Sequence, residues 1–138
     1  MKRLLTTFVL LALAISVNAQ KKAKDVIDRL DSKKDQYAAI AKEIWSNPEL
    51  GYLEENSSAL LQNTLKDAGF SIRAGVADIP TAFVAEYGSG APVIAILAEF
   101  DALPGVSQKA VPYKEAVVDG GAGHACGHHL FGTASTAA

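Results

Sequence analysis

Residues 93–98, Val-Ile-Ala-Ile-Leu-Ala, are six apolar residues in a row. An element with one wet face shows apolar residues at every second position, or at every third and fourth. This run does neither, so it asks for cover on all sides. A strand in the middle of an α/β sheet, buried on both faces, meets that need. A buried helix is the competing reading. The Gly88-Ser89-Gly90 turn signal just before it and the β-branched start favour the strand. The expected fold class is therefore α/β, with helices packed on a mixed sheet.

The rest of the chain is consistent with that plan. Val26, Ile27, Leu30, Tyr37, Ile40, Ala41, Ile44 and Trp45 fall at steps of three and four, which predicts one amphipathic helix over 22–46. Asn47-Pro48 ends it, because a residue before proline disfavours the helical region. A second helix is predicted over 54–68, with Leu60, Leu61, Leu65 and Ala68 on its face and with Glu54 and Glu55 on its surface. Gly69 stands where a left-handed C-cap belongs, and Phe70 is placed to fold back on Leu65. Ser71–Arg73 and Ala82–Tyr87 read as short strands. Residues 102–123 form a long connection whose Gly105, Gly120, Gly121 and Gly123 allow close backbone approach.

The first 19 residues read as a signal peptide. Lys2 and Arg3 start it, a largely apolar stretch runs from Leu4 to Val17, and Val17-Asn18-Ala19 is a small-residue exit. The stretch is shorter than the roughly 20 apolar residues a bilayer span needs. An uncleaved anchor is the alternative. Cleavage after Ala19 makes Gln20 the expected mature N-terminus, with a periplasmic or extracellular location and no membrane attachment afterwards. Removing Lys2 and Arg3 takes the formal charge from −2 to −4. No basic patch remains, which argues against a nucleic-acid partner.

All three histidines and the one cysteine lie in Gly121–Gly132, "GAGHACGHHLFG". A lone Cys excludes an internal disulfide framework, and a free thiol in an oxidising compartment needs burial or a metal. In Cys126-Gly127-His128 the i and i+2 side chains share one side if the segment is extended or turned, presenting a thiolate and an imidazole together. Both suit zinc and related divalent ions. A buried Cys beside a satisfied core His is the plain alternative, and Cys126 as a nucleophile with a histidine base is another. "LFGTASTAA" looks like the start of a helix with small residues for close packing. Asp101 follows the apolar run, at the strand end where ligands of α/β sheets gather. Its plain alternative is a loop cap before Pro104-Gly105.

Three segments in this order, "IWSNPELGYLEENSSALLQNTLKDAGF", "VIAILAEFDALPG" and "GAGHACGHHLFGTAS", resemble the amidohydrolase branch of metallopeptidase family 20. The resemblance covers about residue 25 to 138. It implies a two-domain enzyme with a catalytic α/β domain and a lid or dimerisation domain. Residues 20–138 would be the N-terminal portion of the catalytic domain, the chain being truncated. It implies two divalent metal ions, zinc or manganese, and hydrolysis of N-acyl or N-aroyl amino acids such as p-aminobenzoyl-glutamate. It implies a homodimer at full length, with a related subunit as a further partner. By position, Cys126 and His128 match metal ligands, and Asp101 matches the aspartate that orients the metal site. The general base would lie downstream, so the fragment alone is expected to be inactive. A complete, secreted metal-binding module is the non-enzyme alternative. His124 is left without a role. His129 departs from the family, whose members carry an acidic residue or an amide there, and its role also stays open.

Overall fold

The computed structural model describes residues 22–138. The signal peptide and the expected start at Gln20 lie outside the described residues. The described residues divide into two units, 22–35 and Gln36–Ala138. In the first, residues 22–32 are helical (α1). Val26 and Ile27 are each 57% exposed. The single helix expected over 22–46 is broken. Lys33 is a turn, its N–H bonded to the Leu30 carbonyl at 3.1 Å, and α2 is Lys34–Ser46. The reason lies between Leu30 and Tyr37, where six polar residues interrupt the apolar stripe and leave a helix there nothing to bury.

In the second unit, α2 buries Ile40, Ala41 and Ile44, and α3 (Glu55–Asp67) buries Leu61. Ile40, Ile44 and Leu61 form the core, with Tyr37, Leu60, Phe83 and Phe100 packed against it. Full burial of each large aliphatic side chain contributes about 1.5–3 kcal/mol. The end of α3 is as expected. Gly69 takes φ 94°, its N–H bonds the Lys66 carbonyl at 2.9 Å, and the Phe70 N–H bonds the Leu65 carbonyl at 3.0 Å. The Phe70 ring stacks at a tilt on Tyr87, with centroids 5.2 Å apart.

The start of α3 differs from expectation. Glu54 is buried, not on the surface, and accepts a 2.7 Å hydrogen bond from the Thr81 hydroxyl. The helix is capped from upstream by Glu49. Its Oε1 accepts from the Asn56 N–H (2.9 Å) and side-chain amide (2.8 Å), and its Oε2 from the Ser57 N–H (2.8 Å) and hydroxyl (2.7 Å). Burial pushes the Glu49 carboxyl up, but these four hydrogen bonds outweigh it and hold the pKa below its ordinary value. A carboxylate depressed in the folded state adds stability above its unfolded pKa and loses it as pH falls through the folded one. Glu49→Ala is thus expected to lower stability by about 1–2 kcal/mol at neutral pH. The gap between variant and parent should close below the ordinary carboxylate range. Urea unfolding at neutral and acid pH measures both.

The chain then forms β1 (Ser71–Ala74) and β2 (Phe83–Glu86), an antiparallel pair in register from Ser71↔Glu86 to Ala74↔Phe83. Helices with a small sheet make this an α/β unit. The apolar run is the main departure. Residues 93–98 enter no ladder among the described residues, and Val93 and Ile94 are 86% and 83% exposed. A run that asks for cover on both faces lies open instead, with Ile96 59% and Leu97 73% exposed, and α4 (His128–Ala137) meets it through a hydrogen bond. That helix begins two residues before the expected Leu130. The Ser135 hydroxyl donates to the Leu97 carbonyl at 2.8 Å. A Cβ at Gly132 would lie 3.1 Å from the Glu99 carbonyl oxygen and 3.3 Å from Leu61 Cδ1, so a glycine is what lets α4 sit this close. No helix among the described residues is long and apolar enough to cross a membrane.

Candidate metal centre

Two backbone bridges position the segment after the apolar run. Leu50 pairs in parallel with Ala102, whose N–H reaches the Glu49 carbonyl at 2.7 Å. Leu103 pairs antiparallel with Gly123 through bonds of 2.9 and 3.0 Å. Asp101 is thereby held beside the histidine loop. A Cβ on Gly123 would fall inside the Val106 carbonyl group, so this glycine serves a close approach, as the loop composition suggested. Gly123→Ala is expected to split the Leu103–Gly123 bridge at a cost of about 1–3 kcal/mol. Faster hydrogen exchange at the Leu103 amide would register it.

The loop turns at residues 124–127. The Gly127 N–H bonds the His124 carbonyl at 3.1 Å, and Gly127 takes φ 77° as the residue before α4. His128 is the first residue of that helix. Its imidazole lies between two carboxylates, with Nδ1 2.8 Å from Asp101 Oδ1 and Nε2 3.1 Å from Glu99 Oε2. Donor atoms of Glu99, Asp101 and His128 all lie within 4.8 Å of one another. Neutral imidazole carries one N–H. When Nδ1 gives it to Asp101, the Nε2 lone pair faces a carboxylate oxygen. Two lone pairs face each other at 3.1 Å only with a proton or a cation between them. Two donors each roughly 2.0–2.2 Å from a shared ion are compatible with that spacing, and an imidazole plus carboxylates suits zinc or manganese. The residues present therefore fit a divalent metal.

Asp101 and His128, both expected here, are brought together. Cys126 is exposed and stands outside this trio. Among the described residues no hydrogen bond joins it to a histidine. Glu99 was missed. Its signal was the i, i+2 spacing of Glu99 and Asp101, which puts both on one side of an extended segment. His124 and His129 pack against each other with ring centroids 5.1 Å apart. His124 Nε2 lies 3.1 Å from the Ile44 carbonyl oxygen, and Nδ1 of both rings is buried with no partner among the described residues. Burial pushes both imidazoles below their ordinary pKa, against an upward pull from the Ile44 carbonyl at His124 and with help from His124 at His129.

The chain is 44% identical over 112 residues to a subunit of the p-aminobenzoyl-glutamate hydrolase of Escherichia coli, covering 80% of this chain and 23% of that protein. It is 34% identical over 110 residues to thermostable carboxypeptidase 2 of Saccharolobus solfataricus, covering 75% and 27%. It is 38% identical over 100 residues to IAA-amino acid hydrolase ILR1-like 5 of Arabidopsis thaliana, covering 72% and 22%. The chain spans about a quarter of the length of these curated relatives. No family model matches it.

Proposed function

The chain belongs to the amidohydrolase branch of metallopeptidase family 20, and from that premise we propose that it supplies the first part of the metal site of a metal-dependent amidohydrolase or peptidase. The observation that carries this is the His128 imidazole held between Asp101 and Glu99, with one ring nitrogen facing each carboxylate.

Each residue then has a task. Asp101 accepts the Nδ1–H of His128, which fixes the tautomer and leaves Nε2 free to bind. His128 and Glu99 would hold a divalent ion. Cys126, two residues before His128, is proposed as the thiolate donor and leans the preference toward zinc over manganese. Two ions are proposed for the whole enzyme. The chemistry a divalent ion supplies when bound is activation of water and polarisation of the scissile carbonyl.

The proposed substrates are N-acyl or N-aroyl amino acids. The name of the Escherichia coli relative supports p-aminobenzoyl-glutamate as a substrate, and its being one subunit of that hydrolase supports assembly with a related chain. Export through residues 1–19 is part of the same proposal. Residues 20–138 alone are proposed to lack turnover, because a catalytic zinc takes about three protein ligands and the trio cannot fix two ions. An amidase assay on p-aminobenzoyl-glutamate tests this, and metal-dependent release of glutamate by that segment would overturn it. Equilibrium dialysis against Zn2+ and Mn2+ tests the metal site itself. The expected result is saturable uptake reversed by a chelator. No uptake would reject the proposed function.

A further inference from the structure

We infer that His124 is the positioning residue of this site: its Nε2–H, donated to the Ile44 carbonyl, sets where the 124–127 turn delivers Cys126 and His128. The inference rests on the reading of those two residues as metal-site groups. It starts from an opening in α2. The Ile44 carbonyl would ordinarily accept the N–H four residues on, but position 48 is proline and has none. The Asn47 N–H reaches that oxygen at 3.2 Å, and His124 Nε2 takes the remaining lone pair at 3.1 Å from 80 residues away.

A carbonyl only accepts, so Nε2 must carry the hydrogen, and in the neutral ring Nδ1 is then the lone pair. That Nδ1 is buried and has no partner among the described residues. The whole polar hold on the ring is therefore the one bond to Ile44. Ile44 is 1% exposed, so the anchor belongs to the packed core. From His124 the restraint passes directly into the site. The His124 carbonyl closes the turn through the Gly127 N–H at 3.1 Å, and the next residue is His128. One side chain thus ties the loop bearing the donors to the core helix, while the Leu103–Gly123 bridge ties its other end to the segment bearing Asp101.

The test compares the chain with His124→Leu, which keeps bulk but has no donor, and His124→Gln, whose side-chain amide can still donate to Ile44. Zn2+ affinity is measured by equilibrium dialysis, His124 tautomer by nitrogen NMR, and Gly127 amide exchange alongside, with Leu61 amide protection as the check on folding. Loss of a residue that orients ligands costs about 10–100-fold in metal affinity, so His124→Leu is expected to fall in that range. His124→Gln should stay within about threefold of the parent, the tautomer should be Nε2–H, and Gly127 should exchange faster only in the Leu variant. Affinity of His124→Leu within about twofold of the parent, no rescue by Gln, or an Nδ1–H tautomer would each overturn the inference. If His124→Leu loses Leu61 protection, the Gln variant and the tautomer decide. If the parent chain binds no Zn2+, the proposed function fails, while the tautomer and Gly127 exchange still decide the role of His124.

Discussion

His128→Ala is expected to lower Zn2+ affinity by about 100-fold or more. Structural zinc sites bind with about 10–16 kcal/mol, so each of four ligands carries roughly 3 kcal/mol, and about 1.4 kcal/mol is a factor of ten. The loss should be larger than an average share. His128 is the one imidazole of the trio, and its two ring nitrogens lie 2.8 Å from Asp101 and 3.1 Å from Glu99. His129→Ala serves as the comparison. Its ring packs on His124 and joins none of the trio's contacts, so its affinity should stay within about tenfold of the parent. Competition with a chromophoric chelator gives both values in one experiment. Equal losses in the two variants would mean that the trio is not the site.

Asp101→Ala is the second large effect, at about 10–100-fold in metal affinity. Asp101 Oδ1 is the acceptor 2.8 Å from His128 Nδ1, and the Asp101 backbone carbonyl lies 3.2 Å from the same nitrogen. Removing the carboxylate leaves the weaker of two acceptors and frees the imidazole to turn. Asp101→Asn separates the two contributions of the side chain. An amide oxygen can still accept the Nδ1–H, so ring orientation survives while the negative charge is lost. The Asn variant is therefore expected to fall between the parent and the Ala variant, as read by the same chelator competition. An Asn variant as weak as Ala would assign the effect to charge and leave orientation with no measurable share.

Much of this site can be read from the chain because its parts are local. Cys126 and His128 are neighbours, and their side chains mark the segment as a candidate metal-binding one. Asp101 lies 27 residues before His128, yet its place after an apolar run marks it. Glu99 is harder, since one acidic residue at the end of such a run has many uses. It becomes a partner only when α4 brings His128 against it through the gap left at Gly132. The cap of α3 was hidden for a related reason. Glu49 acts from seven residues before Asn56, so the residues at the helix start do not show it.

The fold divides along the same line. The end of α3 follows from Gly69 alone, because the left-handed cap is a property of two or three residues. The fate of Val93–Ala98 is not local. Its composition states what it needs, but cover depends on which elements come to lie alongside, and here the run stays exposed, with α4 reaching it through the Ser135–Leu97 hydrogen bond. The break at Lys33 is local again, since the polar gap from Asp31 to Gln36 is visible in the chain itself.

The most direct measurement is zinc X-ray absorption on the chain loaded with one equivalent of Zn2+. The expected spectrum has nitrogen or oxygen neighbours at about 2.0–2.1 Å, outer-shell scattering from an imidazole, and a sulfur at about 2.3 Å from Cys126. The imidazole signal should disappear in His128→Ala. An oxygen-only shell, or an imidazole signal that persists in His128→Ala, would contradict a metal site built on His128.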